Sequence, residues 1–492
     1  MSAPETTVLR ARVLPRLYRD SVALMALAAS TEKRAGVRRA GAVMATPGNL
    51  EILGRSDMLP ADLAAAPDDL LLVVRADDAE VADDALAAAE AGLTAAEQQS
   101  GGARAEQAPQ SIAEGLASAE GVTLATVSTP GTYAAVVAEQ ALRRGLHVFC
   151  FSDNVPVADE VRLKRLAVER GLLLMGPDCG TAILDGVPLG FANVVRRGSV
   201  GIVAASGTGA QEVSCLLDSA GAGVSQLVGV GGHDLGTDVG GLMTHQALGM
   251  LAADPETEVV VVVSKPPAAA VADALLARLA DLGKPAVACL LGLPDADGPV
   301  PVRGTLEGGA LAAAALAGHP FAVPDAEPGA PVAGRVLGLY TGGTLAGEAA
   351  VILGRAGVEA EILDLGDDEY TRGRPHPMID PSARADRVAE AGSRADVGIV
   401  LVDLVLGHGA AADPATPLAE AVRTARAAAV ADGRELLVVG AVCGTAGDPQ
   451  GIDRQRAVLR DAGVELHPSH AAAVRSVAAR AATAVTTPKE DA

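Results

Sequence analysis

Val200-Gly-Ile-Val-Ala-Ala-Ser-Gly-Thr-Gly-Ala-Gln-Glu212 passes without interruption from an apolar run into a Ser/Gly/Thr turn and then into a helical pattern. Val200–Ala204 carries no polar side chain, which suits a strand buried on both faces and hence a parallel sheet covered by helices. Gly207 and Gly209 let a ligand approach the backbone, and Ser206 and Thr208 add hydroxyls. The helix that follows would aim its free N–H groups and positive dipole end at that ligand. The geometry suits a phosphoryl or carboxylate group, although Thr208 with Gln211 also reads as an ordinary capping box.

The same rhythm recurs along the chain. Apolar runs at Val122–Val127, Val148–Phe151, Leu172–Met175, Val259–Val263, Ala286–Leu290, Val336–Tyr340, Val397–Val402 and Leu436–Val439 alternate with Ala/Leu-rich helical patterns. Val358–Leu363, with two glutamates, reads as a half-exposed strand. The fold class is α/β, multi-domain, with parallel sheets. Composition shifts at Gln98–Gln110, Pro294–Arg303 and Ala322–Gly334 divide the chain into units of about 1–115, 116–195, 196–325 and 332–485.

Length and charge bound the function. At 492 residues the chain is too long for one core, and its formal net charge of −22 repels polyphosphate backbones and anionic membranes. Aromatic residues make up 2% and Trp is absent, leaving little material for base stacking. The five cysteines are odd in number, widely spaced and without a CxxC pair, as expected of reduced thiols, and no metal site is indicated. No apolar run is longer than Val22–Ala29, so neither a leader peptide nor a membrane span is expected, and a cytoplasmic location is the default.

Other turns gather chemistry where strands end. Thr341-Gly-Gly-Thr344 repeats the Ser206–Gly209 pattern in the next unit, which suggests two loops facing one crevice, and Gly440–Thr445 is a looser third. Gly176-Pro-Asp-Cys-Gly-Thr181 places Asp178, Cys179, Gly180 and Thr181 after a strand, and Asp178 beside Cys179 argues against a thiolate nucleophile. Lys265, in Val263-Ser-Lys-Pro-Pro267, reads as an anion contact or a solvated lysine. Gly229–Gly241 carries His233, Asp234 and Asp238 in a glycine-rich loop, either near a ligand or at the surface. Asp364–Pro381 is the densest polar stretch. There Pro375 and Pro377 hold the backbone extended around His376, with Arg372 and Arg374 as anion clamps, unless the stretch is merely a solvated loop.

Asp20–Met25, Met44–Asn49, Phe151-Ser-Asp-Asn-Val155, Gly176–Thr181, Phe191-Ala-Asn-Val194, Ala205–Glu212, Val263–Pro267, Tyr340–Ala346 and Gly373–Pro381 together resemble the FdrA family, a branch of the succinyl-CoA synthetase (acyl-CoA synthetase) superfamily. The resemblance covers nearly the whole chain. It implies a CoA-binding-type Rossmann unit near 116–195 and two flavodoxin-like ligase units after it. It also implies that turns like Gly176–Thr181 and Ser206–Gly209 surround a phosphate and acyl site. The activity it implies is transfer of a carbamoyl group from oxalurate to phosphate in ureide (allantoin) breakdown, with partner subunits and a small anionic substrate. Phosphate is the co-substrate and there is room for CoA.

Two further readings are an acyl-CoA ligase-like subunit that needs a nucleotide-binding partner, and a non-catalytic anion-binding scaffold. The superfamily's Gly-His-Ala-Gly phosphohistidine setting is absent, the nearest lookalike being Gly407-His408-Gly409, and no ATP-grasp region is present. On these grounds Ser206, Gly207, Thr208 and Gly209 are expected to bind the transferring phosphate. Thr341, Gly342, Gly343 and Thr344 would bind the substrate carboxylate, and Asp178, Cys179, Gly180, Thr181 and Lys265 would line the site. His376 and Arg374 are the expected catalytic side chains, His376 as acid/base or polarising group.

Overall fold

The computed structural model describes residues 7–485 apart from 18, 20, 47–48, 51–52, 55, 61–62, 100–108, 110, 325–328 and 372–374. The chain forms two compact units, one of residues 1–110 with 371–375 and the other of 111–370 with 376–492. Most of the connector expected at Gln98–Gln110 lies outside the described residues, and its first two residues end the helix Ala79–Gln99. Among the described residues no helix is long and apolar enough to cross a membrane.

The first unit holds a three-stranded antiparallel sheet in the order Val8–Leu14, Leu70–Ala76, Val37–Met44. Its central strand reads LLLVVRA because both its faces are covered. Leu70, Leu72 and Val74 pack on Leu86 and Ala89 of the helix Ala79–Gln99, while Leu71 and Val73 pack on Leu53 and Met58. A continuous apolar run here marks burial on two sides, not parallel pairing.

The second unit contains three sheets that include the runs read in the sequence. Leu124–Val127, His147–Cys150 and Leu174–Met175 form a small parallel sheet. A seven-stranded sheet runs Val302–Arg303, Ala286–Leu290, Val259–Ser264, Arg197–Ala204, Val224–Gly229, and ends in the antiparallel hairpin Thr181–Leu184/Val187–Gly190. That hairpin closes the sheet although it precedes the break read at residue 195. A five-stranded parallel sheet runs Ala360–Asp364, Arg335–Tyr340, Val397–Val405, Leu437–Cys443, Val464–His467. One apolar core, including Leu217, Ala310, Ala349 and Val474, joins the two larger sheets through the helices Gly207–Ala220, Leu306–Leu316, Gly343–Arg355 and His470–Val485.

Strand order decides where ligands can sit. Arg197–Ala204 has its two sequence successors on opposite sides, and so does Arg335–Tyr340. In each sheet the chain therefore reverses direction at the carboxyl end of that strand, the switch point where open α/β sheets form crevices. Ser206–Gly209 and Thr341–Thr344 occupy those two positions.

Candidate anion site

The two turns meet. Ser206 Oγ lies 2.6 Å from Thr344 Oγ1, and a methyl group on Gly342 would lie 3.0 Å from the Thr208 side chain. Ser206 is the N-cap of its helix, its hydroxyl accepting the Gly209 N–H at 3.0 Å, so the capping reading and the crevice reading both hold. Among the described residues the N–H groups of Gly207, Thr208, Gly343 and Thr344 meet no acceptor. Two helix N-termini with their partial positive charges thus converge on one spot, an arrangement that an anion between them stabilises.

The 341–344 turn is not wholly available to a substrate. The Asp403 carboxylate accepts the Thr341 N–H at 2.9 Å, the Thr341 hydroxyl at 2.9 Å and the Gly342 N–H at 2.8 Å. Arg384 pairs with the same carboxylate at 2.9 Å, and both side chains are buried. Asp364 packs directly over Gly343, and burial raises its carboxyl pKa above the ordinary range. The expectation that all four residues bind a substrate carboxylate therefore narrows to the Gly343 and Thr344 amides. Lys265, exposed at the end of its strand, acts electrostatically on Asp364.

His376 borders the same place. Its ring packs against Gly366, which also faces the Thr341 carbonyl, and its centroid is 6.0 Å from that of Phe191. Past Pro377 the chain turns, the His376 carbonyl accepting the N–H groups of Ile379 and Asp380. Nδ1 accepts the Met378 N–H at 3.2 Å, and burial lowers the imidazole pKa. The ring is therefore neutral near pH 7 with its proton on Nε2, a hydrogen-bond donor and not a ready base. Arg374, the other expected catalytic residue, lies with Arg372 outside the described residues.

The Gly176–Thr181 turn supports this arrangement from below. The Thr181 hydroxyl donates to the Phe191 carbonyl at 2.8 Å and stands 3.4 Å from where a Gly207 methyl would be. The Gly180 carbonyl accepts the Phe191 N–H at 2.7 Å. Asp178 is exposed with φ 53°, its N–H bonded to the Ser152 carbonyl. Cys179 turns inward, Sγ lying 3.5 Å from the carbonyls of Thr181 and Gly229, and burial pushes its thiol up to about 12. Its side chain is thus core and not site lining. In the folded protein at pH 8, iodoacetamide should leave Cys179 unmodified over times that fully label the unfolded chain, as read by peptide mass spectrometry. Rapid native labelling would contradict that placement.

The glycine-rich loop Gly229–Gly241 has a structural task. Lys164 Nζ donates to Glu160 at 2.7 Å, Asp234 at 2.8 Å and the Val230 carbonyl at 2.9 Å, all three side chains being fully buried. His233 is 67% exposed with its ring 3.2 Å from Glu160, while His408 is exposed on its loop. The His408 loop packs on Ala192 and Phe191, its N–H bonded to the Ala192 carbonyl at 2.8 Å. Asp403, Arg384 and the buried histidine His470 were missed from sequence; no spacing pattern links them to the turns they hold.

The comparisons agree with this architecture. Residues 339–480 match the CoA-ligase domain family and residues 195–290 the CoA-binding domain family. The second match lies on the seven-stranded sheet and not on the 116–195 stretch where the resemblance placed CoA binding. Residues 6–109 match the family described as AllF, heavy metal-associated domain, yet they contain neither cysteine nor histidine, so thiolate and imidazole ligands are lacking there. The Trichomonas vaginalis mitochondrial protein named ADP-forming succinate–CoA ligase subunit alpha-2 is 33% identical over 29% of this chain and 46% of its own. An ADP-forming sulfoacetate-CoA ligase subunit, SauD of Bilophila wadsworthia, is 29% identical over 26% of this chain and 44% of its own, so each alignment spans about half of the ligase subunit. The solved dinucleotide-forming acetyl-coenzyme A synthetase 1 of Ca. Korarchaeum cryptofilum aligns over 74% of this chain and 83% of its own at 15% identity with a TM-score of 0.33, too loose a likeness to carry chemistry. The uncharacterized protein YahF of Escherichia coli (strain K12) is 39% identical over 92% of this chain and 95% of its own. With YahF, the chain belongs to the FdrA-like family of the succinyl-CoA synthetase superfamily.

Proposed function

We propose that the chain is a subunit that transfers a carbamoyl group from oxalurate to phosphate, giving oxamate and carbamoyl phosphate, in the cytoplasm and with partner subunits. The observation that carries the reading is the 2.6 Å contact between Ser206 and Thr344, which brings two helix N-termini to one point. Inorganic phosphate would rest on the Gly207 and Thr208 amides, and the substrate carboxylate on those of Gly343 and Thr344 with Lys265 nearby. A phosphate oxygen attacks the ureido carbonyl carbon, the bond from that carbon to the oxalyl-bearing nitrogen breaks, and the proton of the attacking hydrogen phosphate passes to that nitrogen. The step balances without a nucleotide or redox partner. His376, donating from Nε2, polarises the carbonyl, and amide donors aimed at the developing charge would supply most of the rate.

A second reading, an acyl-CoA ligase-like subunit with a nucleotide-binding partner, draws support from the CoA-ligase and CoA-binding matches. The discriminating experiment co-expresses the chain with its gene neighbours and supplies oxalurate and phosphate, with carbamoyl phosphate measured by coupled assay. Phosphate-dependent product without nucleotide or CoA is the expected result. Product only with CoA and nucleotide would favour the second reading. Anion binding with neither activity would leave a scaffold.

A further inference from the structure

The two helices that form the anion site carry a matched pair of buried carboxylates. Glu212 stands five residues beyond Gly207, and Glu348 five residues beyond Gly343, which sets each about 7.5 Å down its helix from the site. Both are held by one residue at the start of a third helix. His470 donates its backbone N–H to Glu212 at 3.0 Å, and its ring Nδ1 lies 2.5 Å from Glu348. Nε2 contacts the hydroxyl of Tyr340, the residue directly before the Thr341 turn, at 3.2 Å. The second Glu348 oxygen takes the Leu306 N–H at 2.6 Å, so this carboxylate has no slack.

Resting on the anion-site reading above, the geometry points to His470 as a positioning residue that locks the two site helices in register and supplies a cation behind their N-termini. The groups around it are mostly acidic or phenolic, and the cations among them are Arg475 on its own helix, Arg384, which pairs with Asp403, and Arg456, which acts on Glu212 from the helix Ile452–Asp461. The acidic and phenolic groups are Glu348 and Glu212 on the site helices, Tyr340 and Asp403 on adjacent strands of the five-stranded sheet, and Glu307, bonded to the neighbouring Ser469 and to Arg475. Cys443 approaches from the next strand through Glu212. Burial opposes the charge on His470, but the Glu348 contact and the surrounding acids outweigh it, and its pKa is raised. Its protonated form is therefore favoured over that of a free imidazole, and the charge is lost as pH rises through the raised value.

The test uses the full chain and sulfate, which does not titrate between pH 6.5 and 9, with affinity read by calorimetry. His376, its pKa lowered by burial, is mostly neutral across that range. Wild type should bind sulfate and weaken as pH rises. His470→Asn keeps the backbone bond to Glu212 and a side-chain donor for Glu348; it should bind on the order of tenfold more weakly at pH 7 and lose the pH dependence. Should that variant fail to fold, Glu348→Gln answers the same question, because it strips the counter-charge and should move the affinity loss to lower pH. Unchanged affinity and pH profile in either folded variant would overturn the inference while leaving the site intact. Wild type that takes neither sulfate nor phosphate would overturn the site and the inference together.

Discussion

Lys164→Met should lower the unfolding free energy by about 3–5 kcal/mol, measured as the midpoint shift in urea denaturation with unchanged slope. The lysine satisfies three acceptors at once, and two of them, Glu160 and Asp234, are carboxylates with essentially no exposure. Asp234 also accepts the N–H groups of Met243 and Thr244 and the Thr244 hydroxyl, so it caps the helix Leu242–Ala253 while answering the lysine. Methionine keeps the stem but leaves two buried negative charges without a cation. Adding Glu160→Gln and Asp234→Asn should recover much of the loss, because the neutral amides no longer need that cation. A shift under about 1 kcal/mol for Lys164→Met alone would show that water reaches the pair.

The second large effect concerns rate. Ser206→Ala and Thr344→Ala should each reduce phosphate-dependent carbamoyl phosphate formation by about 10²- to 10³-fold, a size typical of losing a donor at a site of developing charge. The reason is geometric: the hydroxyl pair ties one helix N-terminus to the other, and either alanine lets the four free amides drift apart. Because the pair acts as one unit, the double variant should be little worse than either single. Stability should fall by only about 1 kcal/mol in Ser206→Ala, the cost of an N-cap. Additive losses in the double variant would mean that the hydroxyls serve separate ligands.

What the sequence revealed, and what it hid, follows from range. Buried strands announce themselves as unbroken apolar runs such as Val259–Val263 and Val397–Val402, and the Ser206 and Thr341 turns as glycines that follow strands. Val224–Gly229 escapes that reading because Ser225 and Gln226 interrupt it. In the fold, the Ser225 hydroxyl pairs with Thr257 at 2.7 Å, and Gln226 donates to Asp185 at 2.7 Å. Val464–His467 is obscured in the same way by Glu465 and His467, which bond to each other at 3.0 Å.

The site shows the same division. Its glycines and hydroxyls are local and legible; the groups that fix them are not. Asp403 ends an apolar run and reaches Thr341 across 62 positions, and His470 reaches Glu348 across 122. No spacing rule ties such residues together before the sheets are assembled. The Gly229–Gly241 loop misleads in the opposite sense, since its aspartate and glycines look like ligand chemistry yet Asp234 is consumed by a buried lysine. Cys179 likewise sits in a turn beside the site with its sulfur facing the core.

Crystals grown without phosphate and then soaked in it give the sharpest reading of whether the Ser206 and Thr341 loops share one ligand. A single phosphate should sit between the two helix starts, its oxygens about 2.7–3.1 Å from the amide nitrogens of Gly207 or Thr208 on one side and of Gly343 or Thr344 on the other. Phosphate bound to one helix alone, with the Ser206 and Thr344 hydroxyls no longer in contact, would contradict it.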